Sequence, residues 1–322
     1  MVMKSPIKKS WLAWAGLTAA VLVILVLPPV LPPFYVSLIT LALIYGLVAS
    51  SLDILIGYTM MPSLGHGAYF ALGAYATAIM NTRFGAGFWE TLPVSIIVAA
   101  CFAAILGLVA LRSAGVYFLM ITLASAMCVW GLMDQWVDFT GGENGMSGIT
   151  RIGFGLDLNG VLGFHYFTAG FFIVCVGLIY LFIKSPFGNT LVGIRDSASR
   201  MQVLGYNVWL HKYIAFIIAA MFAGMGGCLY AYFNKFVGPD DADLVQCMEF
   251  FLMVSMGGQG TLIGPNIGAF VIVFLKNLAS IYTDRWLMIL AVIYILSAKF
   301  AANGILGIAE QLREKKKGEA GK

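Results

Sequence analysis

Two acidic residues lie in apolar surroundings, where a carboxylate is energetically costly. Asp53 directly follows a stretch from Ser10 to Leu52 that contains no Asp, Glu, Lys or Arg, and Glu249 lies within the largely apolar run 244–254. An ionisable group inside a membrane-spanning segment generally has a partner or a functional role. For Glu249 we expect a structural or gating role. For Asp53 two interpretations stay open: it lines a cavity, or it lies at the membrane interface.

The other residue types that carry chemistry do not form a catalytic set. The histidines, His66, His165 and His211, share no spacing that would gather a metal, and the five cysteines contain no CxxC pair. The sequence has no phosphate-binding loop, no nucleophile elbow and no HExxH helix. We therefore predict a chain without enzymatic activity, metal or cofactor, in which His66 makes a hydrogen bond at a helix start. If ATP powers its function, another polypeptide must supply the ATPase.

The composition indicates which elements position these residues. Hydrophobic residues make up 61% of the 322 residues and charged residues only 11%, whereas soluble domains contain about a quarter charged residues. The net charge of +4 is small and the basic residues are scattered, which argues against nucleic-acid binding. The apolar segments are continuous and lack the alternation of membrane β-strands, so membrane-spanning helices of about 20 residues are expected.

We predict an all-α, polytopic integral membrane protein with about ten transmembrane helices, or about eight if the short ones do not cross. The predicted spans are 11–31, 35–56, 63–80, 92–111, 115–135, 165–184, 212–234, 244–258, 261–277 and 286–303. The membrane domain 11–303 then lies between an N-terminal tail, 1–10, and a basic C-terminal tail, 304–322.

The charged loops predict the orientation of these spans. Both tails and the 185–211 connection are basic, whereas the loops 136–164 and 235–243 are acidic. Cytoplasmic loops of membrane proteins carry an excess of Lys and Arg. We therefore expect both termini in the cytoplasm, an even number of crossings, and the acidic loops outside.

Glycine and proline interrupt the apolar pattern at 57–67, which includes Gly57, Tyr58, Ser63 and His66. A helix break at membrane depth is tolerated only against protein or a water-filled cavity. The segment is therefore either a simple turn between two spans or a break that lines a pathway. The candidate pathway or gating residues are Asp53, Gly57, Tyr58, Ser63, His66 and Glu249.

A second glycine pattern, Gly260, Gly264 and Gly268, has the four-residue spacing that places small residues on one helix face. Such a stripe lets a neighbouring helix approach closely, so we predict a packing role, with a kink at Pro265.

The segment 187–207 is predicted to form a short polar helix after Pro186 has ended a membrane span. Val203 and Leu204 are available for burial, and Gly205 is expected at the C-terminal cap. The helix is either an amphipathic linker between two spans or a projection that fits a groove on a soluble partner.

Five motifs, in this order, resemble the M-type permease subunits of branched-chain amino-acid ABC importers. They are GYTMMPSLGHGAYFALGAY (57–75), GVYFLMITLAS (115–125), TGGENGMSGI (140–149), SPFGNTLVGIRDSASRMQVLGYN (185–207) and GGQGTLIGPNIGA (257–269). The similarity extends over about residues 36–280, and five ordered motifs make a chance match implausible.

The resemblance implies partner proteins, which could not be inferred from the residues alone. Family members pair with a related H-type permease, bind two cytoplasmic ATPases, receive solute from a soluble binding protein, and reside in the inner or cytoplasmic membrane of bacteria or archaea. The segment 187–207 matches the family's coupling helix. The positions that match its ATPase contacts are Arg195, Asp196, Arg200, Leu204 and Gly205.

The resemblance also implies a small polar solute, with branched-chain or related amino acids as the first expectation. Residues 59–62 depart from the family pattern, and Asp53 stands where Asn is common. Urea, amides and small aromatic or organic acids therefore stay open as solutes. The alternative class is a secondary transporter driven by an ion gradient, which would need an ion-binding cluster at the membrane midplane.

Overall fold

The computed structural model describes residues 28–151 and 160–282, together with 288, 291 and 292. The helices are α1 Pro33–Thr59, α2 His66–Phe84, α3 Phe88–Ala110, α4 Val116–Gln135, α5 Val137–Thr140, α6 Val161–Lys184, α7 Pro186–Asp196, α8 Ala198–Val203, α9 Val208–Asn234, α10 Leu244–Gly257 and α11 Gly264–Tyr282. Two short strands, β1 Met146–Ser147 and β2 Phe236–Val237, and two 3-10 turns, Gly142–Asn144 and Pro239–Ala242, complete these ranges. Both tails, most of the predicted span 11–31 and nearly all of the predicted span 286–303 lie outside the described residues.

The all-α, polytopic prediction is confirmed. Within the described ranges, six helices are long and apolar enough to cross a membrane: α1, α3, α4, α6, α9 and α11. Helix α10 is short, with 14 residues, as the sequence predicted. Helix α2 begins only at His66, because residues 60–65 leave the helical path at the glycine and proline break.

Helix α1 lies at the centre of the described fold. In its most apolar window 94% of the residues are buried, against 22% in α3 and α6 and 28% in α4. It packs against α6, α9, α10 and α11. The outer helices therefore turn apolar faces away from the core, as expected for helices that border lipid or another membrane subunit.

Small residues allow α9 to approach α2 and α3 closely. A Cβ added to Gly73 would collide with the Gly224 backbone, and one added to Gly227 would collide with the Phe70 carbonyl. The buried face of α3 is also built from small residues, namely Ser95, Ala99, Ala103 and Gly107. Close backbone contact of this kind is typical of helix packing in membranes, where van der Waals contact replaces the hydrophobic effect.

The two ends of the bundle differ. At the strand end, β1 and β2 pair antiparallel, with Met146 opposite Val237 and Ser147 opposite Phe236. This pairing brings the two acidic loops together. At the helical end, α7 and α8 connect the last residue of α6 to the first residue of α9.

The segment predicted as one polar helix is two helices. Helix α7 ends at Asp196, and the hydroxyl of Ser197 accepts a hydrogen bond from the Arg200 N–H and so caps the start of α8. The hydroxyl of Ser185 caps α7 in the same way, through the Gly188 N–H at 3.2 Å. A serine at each start favours a new helix over a continuous one, because its side chain satisfies the free N–H groups of the first turn.

Candidate functional site

Three separate segments meet at Gly57, near the end of α1. The Nη1 of Arg195, from the last turn of α7, donates to the Gly57 carbonyl at 2.9 Å. The N–H of Gly260, from the connection between α10 and α11, donates to Oδ1 of Asp53 at 2.8 Å. We call these four residues, Asp53, Gly57, Arg195 and Gly260, the Gly57 junction.

The end of helix α1 explains why an arginine and a glycine occupy the Gly57 junction. Helix α1 ends where Met60 adopts a left-handed conformation, with φ of 53°. The last carbonyls of a helix lack intrahelical donors, and the helix dipole favours a cation at this end. Arg195 fills both roles at Gly57. A Cβ at Gly57 would collide with the Gly260 backbone and with the Asp53 carboxylate, so only glycine allows this approach.

Asp53 is buried at the junction, with 1% of its surface exposed. Its Oδ1 accepts the Gly260 bond, while Oδ2 has no hydrogen-bond partner in the part of the chain that the structure describes. The nearby Arg195 guanidinium attracts the carboxylate. The structure thus places Asp53 at a contact between protein segments, and its neighbour Tyr58 is half-buried beside it.

The later part of the 57–67 break packs against α4 and α10: Gly65 lies beside Thr122 of α4, and Gly67 lies beside Cys247 of α10. Ser63 is buried and accepts a hydrogen bond from the Gly65 N–H at 3.2 Å. His66 is the first residue of α2, yet neither ring nitrogen has a hydrogen-bond partner among the described residues. The prediction of a hydrogen-bonding His66 is therefore wrong for this range, because the ring packs edge to face on Tyr69.

Glu249 forms an ion pair with Lys276, a partner that the sequence analysis did not identify. Its Oε1 lies 2.7 Å from Nζ of Lys276, and the Glu249 side chain is 3% exposed while that of Lys276 is 34% exposed. A cavity of about 200 Å³ lies beside the pair, lined by Leu41, Tyr45, Val273, Lys276, Asn277 and Ser280. The clue was present in the sequence, since Lys276 is the one basic residue of the apolar helix α11.

The 3-10 turn at the strand end holds a further buried carboxylate. Asp241 accepts a hydrogen bond from the Gly238 N–H at 3.1 Å. Burial raises the pKa of Asp241 to about 6, although this hydrogen bond and a contact with Tyr230 oppose the shift.

The predicted partner-contact residues divide into two groups. Asp196, Arg200, Leu204 and Gly205 are exposed. Leu204 is 70% exposed and its neighbour Val203 is 89% exposed, so the two apolar side chains are not buried within this chain. Arg195 differs, because its guanidinium turns inward to the Gly57 junction.

The glycine stripe needs a correction. Gly260 precedes α11 and has a φ of 75°, so it does not share a helix face with Gly264 and Gly268. Gly268 packs on the Met253 carbonyl of α10, and Gly264 packs on the carbonyls of 257–258. Pro265 is the second residue of α11, where a proline fits without a kink.

No group of three or more His, Cys, Asp or Glu side chains that would suit a metal occurs in the described ranges. The arrangement offers a contact between three chain segments at the helical end and a paired carboxylate near the strand end.

Comparisons with known proteins agree with this picture. Residues 13–298 match the family model described as the branched-chain amino acid transport system permease component. The chain is 27% identical to the high-affinity branched-chain amino acid transport permease LivM of Escherichia coli, over 89% of this chain and 75% of that one. It is 27% identical to a probable branched-chain amino acid transport permease, LivH, of Methanocaldococcus jannaschii, over 75% of this chain and 80% of that one.

A third relative carries a different solute in its name. The tyrosine transport system permease protein of Clostridioides difficile is 24% identical, over 85% of this chain and 92% of that one. No solved structure matches the chain.

Proposed function

Because the chain belongs to the branched-chain amino-acid transport permease family, we propose that it forms, with a related H-type permease, the translocation pathway for branched-chain or related amino acids. The chain is a permease subunit of an ABC importer and a multi-pass inner-membrane protein. The family implies a partner permease, ATPases and a binding protein in general terms. ATP hydrolysis belongs to the ATPase partners in this proposal.

The exposed surface of α8 is the observation that carries the proposal. Helix α8 lies in the connection between two membrane helices. Val203, its last residue, and Leu204, which follows it, are exposed, as is the cation Arg200. Two large apolar side chains with exposures of 89% and 70% are costly in water. A soluble ATPase with an apolar and acidic groove would bury both side chains and pair with Arg200.

The orientation follows from the same proposal. The helical end faces the cytoplasm, where the ATPases are, and the strand end faces outward, where the binding protein delivers solute. The acidic loops at the strand end and the basic connection 185–211 at the helical end support this assignment.

The solute is the finer part of the proposal. A zwitterion has no net charge, so its pathway needs water and weak polar contacts more than fixed charges. The names of the three relatives reported above support amino acids as the class, since they include branched-chain amino acids and tyrosine. The soluble binding protein is expected to set most of the selectivity.

Reconstituted uptake tests the proposal. The chain is purified with its partner permease and ATPases, placed in proteoliposomes that contain ATP, and given labelled leucine, valine or tyrosine with the binding protein. We expect uptake that requires ATP and the binding protein. A matched preparation whose ATPases lack the phosphate-loop lysine should show none. Uptake by this chain alone, driven by an ion gradient without ATP, would contradict the proposal.

A further inference from the structure

We propose that Arg195 transmits motion inside the permease and is not an ATPase contact. The proposal rests on the function proposed above and assigns separate tasks to the two helices at the helical end. Helix α8 docks the ATPase, and α7, through Arg195, passes its position to α1 and to the 258–263 connection.

The direction of the Arg195 side chain is the first support. Its side chain is only 27% exposed, while its partner in a long contact, Asp196 at 3.4 Å, is 61% exposed. The guanidinium reaches across 138 positions of sequence to the Gly57 carbonyl. About three quarters of the Arg195 side chain is therefore covered within this chain, and its guanidinium is already engaged.

The second support is that α1, α7 and the 258–263 connection all meet at the Gly57 junction. A Cβ on Gly260 would lie 3.3 Å from the Gly57 carbonyl oxygen and 3.5 Å from Nη1 of Arg195. The same Gly260 is bonded to the Asp53 carboxylate. A shift of α7 therefore acts on the end of the central helix α1 and on the turn between α10 and α11 together.

The stiffness of the contact is the third support. Gly57 and Gly260 touch through backbone atoms, so no flexible side chain absorbs a displacement between them. A guanidinium has its donors in a fixed planar fork, which makes it stiffer than a lysine in the same place. Packed elements of this kind shift between discrete arrangements and do not deform gradually.

Proteoliposomes that contain the full complex provide the test. Three quantities are measured for each variant: ATPase bound per permease, ATP hydrolysed, and solute transported per ATP. For Arg195→Met we expect normal ATPase binding and a solute-to-ATP ratio lower by about tenfold, within the usual range of coupling between sites. Arg195→Lys keeps the charge and a hydrogen-bond donor but not the planar fork, so we expect its solute-to-ATP ratio to lie about threefold below the wild type.

Arg200→Met is the matched variant, because the same substitution is made five residues later on α8. We expect it to lose ATPase binding, with a normal solute-to-ATP ratio for the complexes that still form. If Arg195→Met is too unstable to purify, Arg195→Lys decides the question through a ratio reduced by about threefold with ATPase still bound.

The results separate the two proposals. Loss of bound ATPase in Arg195→Met, or an unchanged ratio in both Arg195 variants, would overturn the transmitting role while the wild type still takes up solute. No ATP-dependent uptake by the wild-type complex would overturn the importer function, and the role of Arg195 with it.

Discussion

The Gly57 junction at the helical end and the Glu249–Lys276 pair near the strand end hold charged side chains by different means. At the helical end, Arg195 binds a backbone carbonyl, and Asp53 binds a backbone N–H. Near the strand end, Glu249 and Lys276 bind each other. A bond to backbone ties a side chain to the position of a whole segment, whereas a bond between two side chains can be kept while the helices shift. In the role proposed for Arg195, the Gly57 junction passes motion between segments, whereas the Lys276 ammonium neutralises the buried Glu249 carboxylate.

Lys276→Met should have the largest effect, because it leaves the Glu249 carboxylate buried without its cation. Breaking a buried pair by removing one partner costs about 3 kcal/mol or more. We expect the free energy of unfolding in detergent to fall by about this amount, as measured by thermal or denaturant unfolding. Lys276→Arg keeps the cation and should retain most of the stability. Equal stability for Lys276→Met and the wild type would show that the pair is unimportant.

Gly57→Ala tests the contact at the other end. The added Cβ meets the Gly260 backbone, which has no side chain to move aside, so overpacking should cost about 2 kcal/mol. Gly131→Ala is the matched control, since nothing lies within 4 Å of its Cβ. Alanine there should be neutral or stabilising by up to about 1 kcal/mol. Thermal unfolding of both variants gives the comparison, and similar losses would contradict the close approach at Gly57.

Acid should stabilise the strand end through Asp241. The folded state raises the pKa of this carboxyl from 3.8 to about 6, so the folded protein binds the proton more tightly than the unfolded chain. Its contribution to stability is complete below about pH 4 and is lost as the pH rises through about 6, a total of about 3 kcal/mol.

The contribution of Asp241 is measured by comparing the free energy of unfolding of the wild type and of Asp241→Asn from pH 4 to 7. The variant keeps a neutral side chain, so the difference in stability between the two proteins should depend on pH with the sign given above. Parallel pH profiles for the two proteins would rule out the buried carboxyl as the cause.

Ser197→Ala should have the smallest effect. It removes the cap of α8, and loss of an N-terminal cap costs about 1 kcal/mol. Because α8 is short and exposed, we expect faster amide hydrogen exchange over 198–203 with little change in global unfolding. Gln202→Ala, at an exposed position within α8, is the control. Equal exchange in the two variants would show that the cap does not hold α8.

Much of the fold was predictable from the sequence because membrane helices depend on long apolar runs. The bounds of α1, α3, α4, α6 and α9 agree with the predicted spans to within a few residues. The division of 187–207 into α7 and α8 was missed. The predicted helix ignored Ser197 as a capping residue, which local propensity rules would have flagged.

The contacts were less predictable than the elements. Asp53 and Glu249 were identified as unusual from their apolar surroundings, but their partners lie 207 and 27 positions away. Arg195 matched a family position, yet the sequence does not show which way its side chain turns. Such pairs depend on how helices cross, and spacing along one helix contains no information about that.

The amount of ATPase that co-purifies with Arg200→Glu tests the central claim most directly, because the claim is that energy enters through the exposed surface of α8. The variant reverses one exposed charge on that surface. We predict normal membrane insertion and thermal stability, at least about tenfold less bound ATPase, and loss of ATP-dependent uptake. Wild-type levels of bound ATPase and of coupled uptake would contradict the claim.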